Sequence, residues 1–248
     1  DVVKTVDYIN PQGLAKYKHT AAIRRQYLGD GPVASTGICV DSLLRPDALI
    51  EINAIAVKGG KERILPAGAE FDRYKQLTFA PAVKSGKTVW LSGVIGFQRD
   101  SEGNRVYSQD TATQVEHAYA EMGATLKTAG ATPKDVVQSI DYIAPQALLQ
   151  YRNTGKVRKE FFSGTYPTAT GIQVNRLLRP TGHVEIELTA VIDTPREEIR
   201  IPSWEKRYEQ LTYVPALKVG NQVYFSGQGS VDHSSGQSVV ADMDVVAQ

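Results

Sequence analysis

The chain has 248 residues, 28 of them basic and 27 acidic, and a formal net charge of +1. This balance leaves no broad electrostatic footprint for nucleic acid or for an anionic membrane. Its apolar stretches are interrupted by polar residues and fall short of the ~20 residues that a membrane-spanning helix needs. The single cysteine, Cys39, excludes an internal disulfide framework and agrees with a reducing compartment, so we expect a cytoplasmic protein.

An internal repeat organises the chain. The stretch from Asp1 to Leu14 returns at positions 135–148, and the stretch from Arg73 to Gly86 returns at positions 207–220. Both stretches return at the same offset, and because that offset is a domain length, we expect duplicated domains. The predicted units are the C-terminal half of one copy, a complete copy and the N-terminal half of a further copy, at residues 1–57, 67–193 and 200–248.

Two interpretations of the half copies stay open. Either the sequence is an excerpt of a longer tandem array, which we favour, or the two halves complete each other with one helix absent.

The complete copy contains predicted strands and helices in the order of an α+β domain. A glycine-containing turn joins two short β-rich runs into a hairpin. The helix that follows has apolar residues at helical spacing, with Asp110 or Thr111 as its N-cap and Gly130 as its stop. Pro145 is expected to open a second helix that continues to Phe161. The predicted strands are residues 78–82, 88–92, 136–143, 170–178 and 184–192.

This order predicts a mixed β-sheet with two helices on one face. The other face of the sheet would remain bare and apolar, so we expect repeats or subunits to associate through it.

Several of these segments together resemble a known family. They are residues 83–93, the alanine-rich helix that ends at Ala131, the Asp135-Val-Val segment and the strand Val184-Glu-Ile-Glu187. In this order they resemble the RidA/YjgF enamine and imine deaminases. The resemblance implies a chorismate-mutase-like fold, trimer-like association of repeats, active sites in clefts between neighbouring copies, and hydrolysis to a ketone and ammonia without a cofactor.

The resemblance also implies candidate site residues. The first glutamate of the Glu-Ile-Glu element maps to Glu51 and Glu185, whose carboxylates would relay a proton or activate water. A Ser-Gly pair that would hold a substrate carboxylate or a water, and an aromatic residue that would flank the pocket, complete the set: Ser92, Gly93, Ser226, Gly227, Phe79 and Tyr213. For Glu51 and Glu185 the alternative is a solvated strand-end residue, and for Ser-Gly it is a strand end with a bend.

One family feature is missing at its expected place. Active deaminases carry an arginine that grips the substrate carboxylate, and here its place falls on Ala34 or Ser35 in one copy and Ala169 in the other. Simple imines derived from amino acids are therefore doubtful substrates. The arginines that recur in both copies remain candidate substitutes, although recurrence is also typical of structural ion pairs; they are Arg24, Arg158, Arg45 and Arg179.

The sequence thus predicts a RidA-like hydrolase that acts on an enamine, an imine or a related small molecule. The alternative is a non-catalytic binding or assembly module of the same fold. A ribonuclease is disfavoured by the net charge and by the lack of paired histidines, and nucleic acid is not an expected partner. The four histidines do not recur at matching positions and have no metal-ligand spacing, so no metal site is predicted; they are His19, His117, His183 and His233.

Overall fold

The computed structural model describes residues 1–29, 33–202 and 208–230, with the backbone alone at residues 69 and 70. Of the predicted unit 200–248, positions 203–207 and 231–248 lie outside the described residues, as does His233.

The described residues form three α-helices and seventeen strands. The helices are α1 (Thr20–Leu28), α2 (Thr111–Thr128) and α3 (Gly155–Phe162). The strands are β1 (Val2–Ile9), β2 (Val33–Cys39), β3 (Ile50–Ala56), β4 (Glu62–Ile64), β5 (Phe79–Ala80), β6 (Ala82–Ser85), β7 (Thr88–Leu91), β8 (Val94–Ile95), β9 (Gln98–Arg99), β10 (Arg105–Val106), β11 (Val136–Ile143), β12 (Thr168–Gln173), β13 (Arg176–Leu177), β14 (Val184–Val191), β15 (Arg196–Ile199), β16 (Ala216–Val219) and β17 (Gln222–Phe225).

The larger mixed sheet has the strand order β12-β11-β14-β7-β6-β4, with β8 also paired to β14. Its β11 and β12 run parallel, whereas β11 and β14 run antiparallel. Helix α2 begins where the predicted cap lies, because the Asp110 carboxylate accepts the backbone N–H of Thr113 at 2.7 Å. Its apolar side packs on this sheet together with Phe162 of α3. The predicted α+β architecture, with two helices on one face of a mixed sheet, is therefore confirmed.

A second mixed sheet contains β2, β1 and β3 in that order, joined by β5 and β13 from later in the chain. Its register is that of the larger sheet at the offset of the sequence repeat: Lys4 lies opposite Ala34, and the corresponding Gln138 lies opposite Thr168. A three-stranded sheet of β15, β16 and β17 follows.

The face of the larger sheet opposite the helices is covered by the second sheet. Ile38 of β2 packs with Tyr142 of β11 and Leu177 of β13 in one buried cluster. The bare sheet face that the apolar pattern predicted is thus covered, within the chain, by strands of the predicted unit 1–57.

Two predicted elements differ from those observed. The helix expected to begin at Pro145 becomes separate 3₁₀ turns, and regular helix starts only at Gly155. The Asn153-Thr-Gly155 sequence consists of poor helix formers, and the intervening Leu149 is exposed, so packing does not rescue the helix. The strand expected at 170–178 is also interrupted, because its last part leaves the larger sheet and pairs with β2 as β13.

Among the described residues, no helix combines the length and the apolar character needed to cross a membrane.

Candidate active site

An interrupted strand edge forms the centre of the candidate site. The outer edge of β2 pairs with β5 at Val33 and Ala34 and with β13 at Ile38 and Cys39. Between these pairings, the backbone of Ser35 bonds to the Ser92-Gly93 segment. Hydrogen-bonding groups of alternate residues in a strand point to the same edge. The backbone of Gly37 therefore faces the gap that remains between Gly93 and β13.

Glu185 lies beside this gap. It is buried on β14, and a Cβ placed on Gly93 would collide with its Oε1 and would come 2.8 Å from Cγ2 of Thr36. Only glycine at position 93 therefore permits this approach. Burial, and to a smaller extent the charge of Glu187, raise the pKa of Glu185 to about 8, against the lowering effect of Lys4. The cleft consequently contains a carboxyl group that is mostly neutral at pH 7.

A buried ion pair involves Glu187, which projects from the same face of β14 as Glu185. Nζ of Lys4 lies 2.7 Å from Oε2 of Glu187 and donates to the Leu91 carbonyl at 2.8 Å. The Thr36 hydroxyl accepts from Lys4 at 2.8 Å and donates to Glu187 at 2.5 Å. This network joins β1 and β2 to β14, so it fixes the two walls of the cleft relative to each other.

The opposite wall carries a tyrosine and the cysteine. A Cβ on Gly37 would lie 3.0 Å from the Tyr17 hydroxyl and 2.8 Å from Cδ1 of Leu178. The Tyr17 hydroxyl donates to Asp7 at 2.7 Å, and burial together with that carboxylate raises its pKa well above the ordinary range. Burial likewise raises the pKa of the Cys39 thiol. Both groups therefore stay protonated at neutral pH.

The predicted serines are fully occupied by backbone groups. The Ser92 hydroxyl donates to the Ala80 carbonyl at 2.5 Å and accepts the Ser35 N–H at 2.8 Å. The Ser226 hydroxyl makes the two corresponding bonds in the next copy, to the Val214 carbonyl at 2.6 Å and from the Ala169 N–H at 2.9 Å. Each serine thus joins its own strand to the edge of another.

The remaining predicted residues have other neighbours. Glu51 is exposed on β3 opposite Tyr8, and its side chain makes no hydrogen bond within the described part of the chain. Gly227 approaches Thr170 as Gly93 approaches Thr36, but the nearest atoms of the described residues include no carboxylate oxygen. Two aromatic side chains are half-buried: Phe79, which meets Tyr74 edge-on at 5.6 Å, and Tyr213. The structure therefore brings Glu185 and Gly93 together and leaves Glu51, Gly227 and Tyr213 elsewhere.

The recurring arginines have structural partners or are exposed. Arg24 pairs with Asp7 at 2.9 Å, and Arg158 pairs with the buried Asp141. Arg45 and Arg179 are exposed. Sequence comparison between the copies missed Lys4 and Glu187, because the other copy has Gln138 and Asn53 at these positions.

Comparisons with known proteins identify similar sequences. The family model described as Endoribonuclease L-PSP matches residues 74–192. A 2-iminobutanoate/2-iminopropanoate deaminase of Dermatophagoides farinae is 30% identical over 115 residues, which cover 46% of this chain and 86% of that protein. The 3-aminoacrylate deaminase RutC of Acinetobacter baylyi is 28% identical over 130 residues, covering 52% and 97% respectively.

A solved structure of a YjgF family member from Mycobacterium tuberculosis is also similar. It is 26% identical with a TM-score of 0.43, and the match covers 54% of this chain and all of that one. The family model covers the segments on which the resemblance rests, and the relative that is 30% identical is matched over 86% of its length. The chain belongs to the RidA/YjgF family.

Proposed function

We propose that the protein hydrolyses a small imine or enamine in the cleft between β2 and β14. The observation that carries this proposal is the buried Glu185, whose pKa near 8 supplies a protonated carboxyl at neutral pH next to Gly93 and the open edge of β2. A general acid with a pKa close to the working pH is the effective one. The deaminase names of the two relatives support the same reaction class.

The proposed reaction needs one proton donor and one water. The Glu185 carboxyl protonates the imine nitrogen, or the β-carbon of an enamine to give the same iminium. Water then adds to the iminium carbon while the Glu185 carboxylate accepts a proton from it. Glu185 then donates its proton to the nitrogen of the resulting carbinolamine. As the C–N bond breaks, the hydroxyl proton passes to the Glu185 carboxylate, and the carbonyl product and ammonia leave. Glu185 ends the cycle protonated, as it began.

We also propose that residues 1–57, 67–193 and 200–248 are parts of three tandem RidA-like copies. The support is a contact that occurs twice: Gly93 N–H donates to the Ser35 carbonyl at 3.2 Å, and Gly227 N–H donates to the Ala169 carbonyl at 3.1 Å. Each contact joins one proposed copy to the next. Gly227 and Ala169 are the residues that correspond to Gly93 and Ser35 in the sequence repeat. The Glu185 cleft is then a cleft between consecutive copies.

On this basis, Glu51 and the Ser226-Gly227 pair belong to two further clefts of the same kind. Other copies of the chain would complete them in a trimer-like assembly, with Tyr213 flanking one of them as Phe79 flanks the first. The single cysteine, buried and free, favours a reducing compartment such as the cytoplasm.

The test is the hydrolysis rate of 3-aminoacrylate and 2-iminopropanoate, the compounds for which the relatives are named. We expect Glu185→Gln to lower kcat/KM by roughly 10²- to 10⁴-fold, the usual contribution of a general acid and base. Glu116→Gln, which changes an exposed glutamate of α2, is the matched control and should leave the rate unchanged. Equal rates for the wild-type protein and Glu185→Gln would refute the proposal.

A further inference from the structure

A ligand with an anionic group would need a cationic side chain in the Glu185 cleft. Two nearby cationic side chains are already held in ion pairs. Lys4 is paired with Glu187, and Arg24 with Asp7. These ion pairs are buried and well inside hydrogen-bond distance. Neither side chain is therefore free to hold a ligand.

Arg176 lies at the other end of the gap. It belongs to β13, where it stands directly opposite Cys39 in an antiparallel pair. Directly opposite residues of such a pair project from the same face of the sheet, and so do alternate residues of one strand. Arg176 therefore shares the face of Cys39 and Gly37, the face on which the Tyr17 hydroxyl lies. The adjacent Leu178 reaches the open edge itself, 2.8 Å from the Cβ position of Gly37.

The electrostatics of Cys39 connect this arginine with the glutamate. Arg176 lowers the pKa of the Cys39 thiol while Glu185 raises it, so the charges of both side chains act on one sulfur atom. This agrees with the strand pairing, which places Arg176 opposite Cys39 at the end of the gap beside which Glu185 lies.

The Arg176 side chain has a buried N–H group without a hydrogen-bond acceptor among the described residues. Its Nε is buried and has no hydrogen-bond partner within residues 1–29, 33–202 and 208–230, and no ion pair of this arginine occurs there. A buried N–H without an acceptor costs free energy. A guanidinium donates two parallel N–H bonds to a carboxylate, and such a ligand would supply the missing acceptor.

We propose that Arg176 binds the carboxylate of the ligand in the Glu185 cleft and so makes the site selective for anionic over neutral substrates. Arg176 then replaces, from a different strand, the guanidinium that is missing at Ala34 and Ser35. The substrate is a small imine or enamine that carries a carboxylate. The identity of the reacting group rests on the proposed function, whereas the carboxylate site does not.

Binding of an unreactive carboxylate tests the site without hydrolysis. Pyruvate and its neutral methyl ester are titrated calorimetrically into the wild-type chain, Arg176→Gln, Arg176→Lys and the exposed-residue control Arg152→Gln. We expect Arg176→Gln to weaken pyruvate binding by roughly ten- to hundred-fold, as for a lost charge-assisted hydrogen bond. Arg176→Lys should be intermediate because it keeps the charge without the fork, Arg152→Gln should match the wild type, and the ester should bind all four chains alike.

Several outcomes separate this proposal from the proposed hydrolysis. Arg176-dependent pyruvate binding without any imine hydrolysis would support the carboxylate site and refute the hydrolase. Hydrolysis of 2-iminopropanoate at equal rates by the wild type and Arg176→Gln would do the reverse. Absent pyruvate binding by the wild type, or equal binding by Arg176→Gln, would overturn the carboxylate site. Circular dichroism confirms that each variant is folded, and Arg176→Lys supplies the comparison if Arg176→Gln is not.

Discussion

Burial decides the protonation state of Glu185. Gly93 lies so close that water has little access to the carboxyl, and the charge of Glu187 adds to the cost of ionising it. The same glutamate on β3, Glu51, is exposed and has no such neighbours among the described residues. Identical residues in a repeat thus differ in chemistry because their surroundings differ.

The raised pKa of Glu185 predicts a pH-dependent stability. An unfolded glutamate ionises near pH 4.5, whereas folded Glu185 holds its proton to about pH 8. Its contribution to the free energy of unfolding is fully present below pH 4.5 and is lost as pH rises through 8. Urea unfolding of the wild type should therefore show stability declining over this interval, relative to Glu185→Gln. Parallel pH profiles for the two chains would contradict the assigned pKa.

Recurrence of a residue in both copies of the repeat does not show whether its role is structural or catalytic. The Tyr17-Asp7-Arg24 hydrogen-bonded group returns as Tyr151-Asp141-Arg158 in the second copy. These arginines recur because each neutralises a buried aspartate. Arg176 has Ser42 as its counterpart, so the comparison of copies passed over it. Its significance depends on the pairing of β13 with β2, which no sequence period reveals.

The strands around the cleft are joined by a charge pair that occurs once. Lys4 of β1 and Glu187 of β14 are both buried, and each has a neutral counterpart in the other copy, Gln138 and Asn53. The pair is therefore not a general feature of the repeat. A buried polar pair is known to specify register in some proteins.

Removing one member of this pair should destabilise the chain. We expect Lys4→Gln to cost about 3 to 5 kcal/mol of unfolding free energy, because Glu187 is left buried without its counter-charge. The double variant Lys4→Gln with Glu187→Gln should recover most of that loss. Equilibrium urea unfolding measures both. A Lys4→Gln chain as stable as the wild type would show that the pair contributes nothing at this junction.

At the scale of elements, sequence periodicity predicted most of the larger sheet and helix α2. Strand 136–143 has the predicted bounds, and Asp110 caps α2 as expected. The 3₁₀ turns before Gly155 and the departure of β13 to the second sheet were missed. Both depend on tertiary contacts. The Tyr151 hydroxyl donates to Asp141, and β13 pairs with the edge of β2 in the second sheet. Local propensity carries no information about either.

On the scale of the whole molecule, two sheet edges are apolar and exposed within the described part of the chain. Ile52 and Ile55 on β3 are 52% and 43% exposed, and Phe225 on β17 is 64% exposed. Open apolar edges favour pairing with another chain. The sequence repeat predicts that these two edges pair with each other. In the larger sheet β14 pairs with β7 at Thr189 and Trp90, and the corresponding positions are Ile55 on β3 and Tyr224 on β17.

Association through these edges predicts a concentration-dependent mass. Sedimentation velocity should show oligomers of the wild-type chain. Ile55→Glu or Phe225→Glu should shift the protein toward the monomer, because each places a charge on a paired edge. Ile23→Glu changes an equally exposed apolar residue on α1 and should have no effect. A wild-type chain that is monomeric at every concentration would contradict the proposed assembly.

The proposed hydrolysis depends on the protonated carboxyl of Glu185. The most direct measurement is kcat/KM for 3-aminoacrylate between pH 5 and 10, for the wild type and for Glu185→Gln. We expect the wild-type rate to fall as pH rises through about 8, where the Glu185 proton is lost, and Glu185→Gln to show a much lower rate without that transition. A Glu185→Gln variant that keeps both the rate and the transition would contradict a role for this carboxyl in catalysis.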